Sequence, residues 1–228
     1  MALPSSPSPA GWARRCVPRL AALWPEKLLG LAGGLTAFFA AYFWVLHHPG
    51  RPPLVMPLVF IDRWVPFLPA ALPLYLSLWF YVSLAPSLEV TREELHSCFF
   101  AALGLAGCGL GLFYFWPTEV PPPEAVWAPG SLFAFLKNAD AAGNACPSLH
   151  VAFAVFTAVR LAHQLRHLGA GRIARTANWL WCAGIAWSTL ATRQHVFLDV
   201  AAGAALGAAF GALPGLRRRL SPAGRPAE

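Results

Sequence analysis

NWLWCAGIAWSTLATRQHVFLDVAAGAALGAAFGAL, residues 178–213, is the stretch whose reading decides the class of fold. Two apolar runs enclose the nonamer TRQHVFLDV (192–200), and within it stand Arg193, His195 and Asp199. A water-soluble domain carries charge on about a quarter of its residues. This chain of 228 residues has 12% charged and 57% hydrophobic side chains, too little polar surface for water as its solvent. A bilayer is the alternative solvent, and it demands apolar runs of about 20 residues.

Such runs recur. Composition predicts helical spans near 28–46, 67–85, 97–116, 148–165, 177–191 and 196–213. Pro69 and Pro73 predict that the second span begins late or is kinked. The expected fold is therefore all-α: a polytopic membrane protein with six transmembrane helices in a bundle. Residues 1–26 are expected as a disordered cytoplasmic tail, 27–214 as the membrane catalytic domain and 215–228 as a basic cytoplasmic tail. Gly203, Gly207 and Gly211 recur at four-residue spacing, a face that admits close approach of a neighbouring helix, whether within the chain or in a dimer.

Lysine and arginine set the orientation. One side of the predicted membrane collects Arg14, Arg15, Arg19, Lys27, Arg92, Arg160, Arg166, Arg172, Arg175, Arg217, Arg218, Arg219 and Arg225. The other receives Arg51, Arg63, Lys137 and Arg193. Both termini are accordingly expected in the cytoplasm, with the 192–200 seam at the outer, periplasmic face of what the Ala-, Arg- and Pro-rich composition suggests is a bacterial inner membrane. The net charge of +7 is then a topology signal. It flanks membrane spans and has no aromatic base-stacking platform beside it, so no nucleic-acid partner is expected. Five cysteines without a C-x-x-C pair predict no disulfide framework, and Cys98 and Cys108 are expected as small core residues.

This topology gathers LKNADAAGNACPSLHVAFA (136–154) and the 192–200 seam at one face, so that His150, His195 and Asp199 can meet. Ionisable groups at membrane depth are a functional-site hypothesis by default. Pro147 suits the first turn of a helix, and the free N–H groups of Ser148, Leu149 and His150 would form an anion site there. An ordinary helix start with an interfacial histidine fits the same four residues. His195 and Asp199, four apart, share one helix face; the carboxylate would hold one ring nitrogen and leave the other as base or nucleophile. Arg193 could offer paired donors to phosphate. Interfacial snorkelling of Arg193 and His195 over a stabilising Asp199 is the plainer alternative, although an unpaired carboxylate one turn into an apolar span would be costly. Asn144 and Asp140 are candidates for shaping the pocket, and Thr118 and Glu119 for starting the outer loop.

PSLHVAFA (147–154) followed by TRQHVFLDVAAG (192–203) resembles the type 2 phosphatidic acid phosphatase superfamily, whose motifs run K-x6-R-P, P-S-G-H and S-R-x5-H-x3-D. Pro147-Ser148-Leu149-His150 matches the second with Leu149 in the glycine's place. Ser188, His195 and Asp199 match the third, with Thr189 at the arginine position, and the first motif is missing. These departures, with FYFWPTEVPPP (113–123) and IDRWVPFLPAALPLYLSLW (61–79), look more like the inositol phosphorylceramide synthase-like branch. The resemblance implies that His195 attacks phosphorus to form a phosphohistidine, Asp199 orients and charge-balances it, and His150 protonates the leaving oxygen. It further implies that Ser148 and nearby N–H groups hold the phosphate, and that neither metal nor cofactor is needed. Arg193 first and Lys137 second are the expected replacements for the missing cations, with Arg51 and Arg63 able to reach the same face.

The implied activity is an integral membrane phosphatase or phosphotransferase acting on a lipid phosphate or phosphodiester, with water or an alcohol as acceptor and the bilayer as its partner. Two alternatives keep the same residues. In one, the histidines and Asp199 bind a metal that activates water. In the other, the protein is a non-enzymatic lipid-binding or transport protein.

Overall fold

The computed structural model describes residues 11–121 and 144–213. Helix makes up 75% of them. Three helices are long and apolar enough to cross a membrane: Trp24–His47, Arg92–Phe115 and the interrupted Pro69–Ser87. Phe197–Gly211 is apolar but shorter. These helices mark a membrane protein.

In chain order the helices are α1 (Gly11–Ala21), α2 (Trp24–His47), α3 (Phe60–Trp64), α4 (Leu72–Leu76), α5 (Leu78–Ser87), α6 (Arg92–Phe115), α7 (Leu149–His167), α8 (Arg172–Ala191) and α9 (Phe197–Gly211). Residues 11–21, expected within a disordered tail, instead form α1, because Trp12 and Cys16 pack against the core beneath α5, α7 and α8. The second span is broken as its prolines require. Pro69 opens a 3-10 turn (Pro69–Ala71), Pro73 sits in the first turn of α4, and the chain restarts as α5 after Ser77.

Helix α7 is the hub, packed by α5, α6, α8 and α9. Around its middle, Tyr81, Ala154, Ala158 and Ile185 are fully buried, and on its other flank Leu105, Phe113, Ala152 and Phe156 close the core against α6. Polar side chains join the helices inside. The Tyr81 hydroxyl donates to Asn178 Oδ1 (2.6 Å), Asn178 Nδ2 to the Ala158 carbonyl (3.0 Å) and Gln164 Nε2 to the Ala85 carbonyl (2.8 Å). Such inward polar residues make α7 and α8 less apolar than the membrane-length helices, and these three hydrogen bonds tie them to their neighbours.

The glycine stripe of α9 lies directly on α7. A Cβ at Gly203 would strike the Ser148 carbonyl oxygen, one at Gly207 the Ala152 carbonyl oxygen, and one at Gly211 would sit 3.0 Å from Val159 Cβ. The pairing order 203 with 148, 207 with 152 and 211 with 159 makes the two helices parallel, with both N-termini at one end of the bundle.

At that end the loops are laced together. Leu54–Val55 and Thr118–Glu119 form a two-residue parallel pairing. Thr118 and Glu119, expected merely to begin a loop, are therefore strand residues; the Thr118 carbonyl takes Ala145 N–H (3.1 Å) and its Oγ1 takes Cys146 N–H (2.8 Å). Val120, Ala145 and Val196 close a small apolar cluster over this junction. Cys98 is buried as expected, but Cys108 is exposed, on the outward side of α6.

Candidate active site

The helix start at CPSLH is one residue later than the sequence suggests. Ser148 is the N-cap of α7, its side-chain oxygen accepting Val151 N–H (3.3 Å), so Pro147 lies before the cap and not in the first turn. Ser148 N–H donates to the Asp199 carbonyl (3.0 Å), a direct tie between the starts of α7 and α9. The first N–H groups of α7, at Leu149 and His150, have no carbonyl one turn back to pair with.

His150 is enclosed by α4 and α5. Its ring stacks on Tyr75 (centroids 3.9 Å apart, 14° between planes) and meets Trp79 edge-on at 6.3 Å. Nε2 lies 3.0 Å from the Tyr75 carbonyl, which can only accept, so Nε2 carries the proton and Nδ1 is left for other chemistry. Tyr75 and Trp79 went unnoticed in the sequence; their four-residue spacing in a proline-broken span was the available signal.

Asp199 is fully buried at the third position of α9. One oxygen, Oδ2, accepts Val196 N–H (3.0 Å) and faces His195 Nδ1 at 3.4 Å. The other, Oδ1, has no hydrogen-bond partner, nor does His195 Nδ1, because the 3.4 Å contact is off hydrogen-bonding geometry. The Ser148–Asp199 bond sets His150, the second residue of α7, and His195, two residues before α9, at the same end of the bundle. Two parallel helix N-termini, each with its positive dipole end, therefore bracket the pair. The thiol of Cys146 is pushed up to about 11, first by burial and then by the charge of Asp199 beside it.

Arg193 stands in the left-handed region (φ 56°) just past α8. Its guanidinium donates to the carbonyls of Asp62 (2.9 Å) and Val65 (3.0 Å), which holds a side chain at a position that usually favours glycine. Behind it, the Thr189 carbonyl accepts from Gln194 N–H (3.0 Å) and His195 N–H (3.2 Å), closing the turn that presents His195. Asp62, buried in α3, was also missed: Oδ1 accepts Phe197 N–H (2.7 Å) and Oδ2 Val59 N–H (2.8 Å), capping α9 from outside it. Nothing in the local sequence links Asp62 to residue 197, since the contact spans 135 positions. Asn144 (φ 57°) and Gln194 bring buried amide nitrogens without partners to the same loops. Lys137 and Asp140 lie outside the described residues. Among the described residues no group of three or more His, Cys, Asp or Glu side chains is arranged to hold a metal ion.

A family model of the PAP2 superfamily matches residues 95–214, more than half of the chain, including the helices that carry His150 and Asp199 and the turn that carries His195. The chain belongs to the PAP2 superfamily. Membership in the PAP2 superfamily points to phosphatase or phosphotransferase activity on a phosphate substrate. The match begins at residue 95, so α3, α4 and α5, which supply Asp62, Tyr75 and Trp79, lie outside it. No curated protein and no solved structure matches the chain.

Proposed function

We propose that the protein is an integral membrane phosphatase or phosphotransferase that acts on a lipid phosphate or phosphodiester through a phosphohistidine on His195. The observation that carries this reading is the parallel seating of α9 on α7, where Ser148 N–H meets the Asp199 carbonyl and glycine at 203 admits the Ser148 carbonyl. It brings two sequence-remote imidazoles and a buried carboxylate to one junction.

In the proposed cycle Asp199 Oδ2 accepts a hydrogen bond from His195 Nδ1–H, which stays on the ring and directs the Nε2 lone pair at phosphorus. The N–P bond forms as the bond to the leaving oxygen breaks. Protonated His150 gives that oxygen its Nδ1 proton, Nε2–H remaining on the Tyr75 carbonyl. Neutral His150 then takes a proton from water or an alcohol as its oxygen attacks phosphorus and the N–P bond breaks. The Ser148 hydroxyl proton, the first N–H groups of α7, the amides of Asn144 and Gln194 and the second N–H on each terminal nitrogen of Arg193 are the proposed donors to the phosphoryl oxygens; Lys137 is a further cation for that role. Phosphoryl transfer asks mainly for positioning and charge neutralisation, which this set provides without a metal.

Six spans are proposed, with α7, α8 and α9 crossing beside the three longer segments. Lys27, Arg92 and Arg166 lie at the end of the bundle away from His150, which by the positive-inside rule puts the termini in the cytoplasm and the site at the outer face. Arrival of substrate from the outer leaflet is consistent with that placement. The proline-broken 61–79 segment favours the inositol phosphorylceramide synthase-like branch, and with it transfer to an alcohol as well as to water.

The test is turnover of a panel of lipid phosphates by purified protein, with phosphate release and head-group exchange measured together, and acid quenching to trap phosphate. Acid-labile label on wild type and none on His195→Ala is expected. A wild-type enzyme that turns over substrate with no trappable label would end the phosphohistidine reading, and binding without turnover would favour a non-enzymatic lipid-binding protein.

A further inference from the structure

At the opposite end of the bundle, beside the turn that joins α7 to α8, lies a cleft of about 270 Å³ lined by Ala162, Arg166, Arg172, Arg175, Thr176 and Trp179. His150 and Arg166 are separated by 16 helical positions, roughly 24 Å at 1.5 Å per residue, so this cleft is remote from the active site. Three guanidiniums line it, and none of the three is ion-paired with an acidic side chain among the described residues. Arg166 and Arg172 are exposed and Arg175 is half-buried, with its Nε shielded from solvent and without a hydrogen-bond partner. A shielded donor left unpaired beside two like charges favours an anion that completes the set.

Two further features point the same way. The N-terminus of α8 opens at Gly171, which has no side chain to cap it, and Arg172 and Arg175 stand in that first turn. Its free N–H groups and positive dipole end add to the arginines. On the other side of the α7–α8 turn, the Arg15 side chain of α1 lies close to Gly169, extending the basic rim. Trp179 lines the cleft on its apolar side, and Ile173 and Leu180 of the same helix are exposed at 88% and 67%. A tryptophan between an apolar helix face and a basic rim is the composition of a membrane–water boundary.

We propose that this cleft binds the phosphate of an anionic phospholipid headgroup, with the acyl chains lying along Trp179 and Leu180. A phosphate diester or monoester matches the planar, forked donors of three arginines, and a basic pocket between membrane helices selects anionic over zwitterionic headgroups. The site is separate from the catalytic junction, and its readout is lipid retention, so its failure and failure of the phosphohistidine reading are distinguishable.

The test uses the full chain in detergent and native mass spectrometry of lipids retained from equal mixtures of phosphatidylglycerol and phosphatidylcholine. Wild type is expected to retain phosphatidylglycerol selectively. R166Q/R172Q/R175Q is expected to lose about tenfold or more of that retention, and the milder R175Q part of it. R166K/R172K/R175K, which keeps the charge, should retain more than the glutamine variant. A glutamine variant that melts with wild type and holds the lipid equally well overturns the site, as does equal retention of the two lipids by wild type. Inorganic phosphate that binds alone and displaces the lipid at similar concentration overturns the membrane source and leaves a soluble phosphate as ligand.

Discussion

Asp199 must serve a helix and a histidine with one carboxylate. Oδ2 already accepts Val196 N–H while facing His195, and an asparagine could keep the first contact while losing the negative charge. Asp199→Asn is therefore expected to fold normally and to lower kcat about 10²–10⁴-fold with little change in KM, measured on the best lipid phosphate of the panel. The same substitution should act on Cys146. With the carboxylate's charge gone, the thiol's pKa falls from about 11, and iodoacetamide labelling at neutral pH should quicken. In wild type that labelling is expected to be slow at pH 7 and to rise with pH toward the thiol's pKa, since the thiolate is the nucleophile. Asp62 offers a contrast: its carboxylate touches two backbone N–H groups and no imidazole. Asp62→Ala should lower the Tm, each buried donor left unpaired costing about 1–3 kcal/mol, whereas Asp62→Asn retains one acceptor and should fall between.

At the scale of elements, the α7–α9 contact holds backbone against backbone. Ala at 203 would press its methyl on the Ser148 carbonyl, and neither partner is a flexible side chain. Gly203→Ala is expected to cost about 1–3 kcal/mol by thermal melt and to depress turnover further, because parting the two helices parts the two histidines. Gly33→Ala on α2, with nothing within 4 Å of the added methyl, is the control and should lower neither stability nor turnover. The sequence indicated the stripe by its four-residue spacing, yet could not say whether its partner was α7 or a second chain.

For the whole molecule, the charge pattern and the site's donor set give one prediction each. Single cysteines replacing Arg51 and Arg172 should differ in intact cells: a membrane-impermeant maleimide is expected to label position 51 and to miss position 172 until the membrane is opened. Exhaustive chelation is expected to leave turnover unchanged, since the proposed electrostatics come from helix N-termini and guanidiniums; loss of activity restored by a divalent cation would favour the metal-activated alternative.

Each of the six apolar segments named from composition contains helix in the structure, because lipid-compatible runs can satisfy their backbone only internally. That His150, His195 and Asp199 would fall at one end of the bundle was legible because polar residues inside such runs have few reasons to be there. Helix α1, the 54–55 with 118–119 pairing, Asp62 and the Tyr75 stack on His150 were not, as they depend on partners many positions away and on short segments without periodicity. The amino-acid order alone determined a helical membrane protein with a histidine–carboxylate pair at a helix start, since burial of charge and hydropathy are local properties. Only the tertiary structure decided that α9 runs parallel to α7, that Arg193 is bound by two carbonyls of the α3 segment, and that three arginines converge on one cleft, because these follow from which surfaces meet.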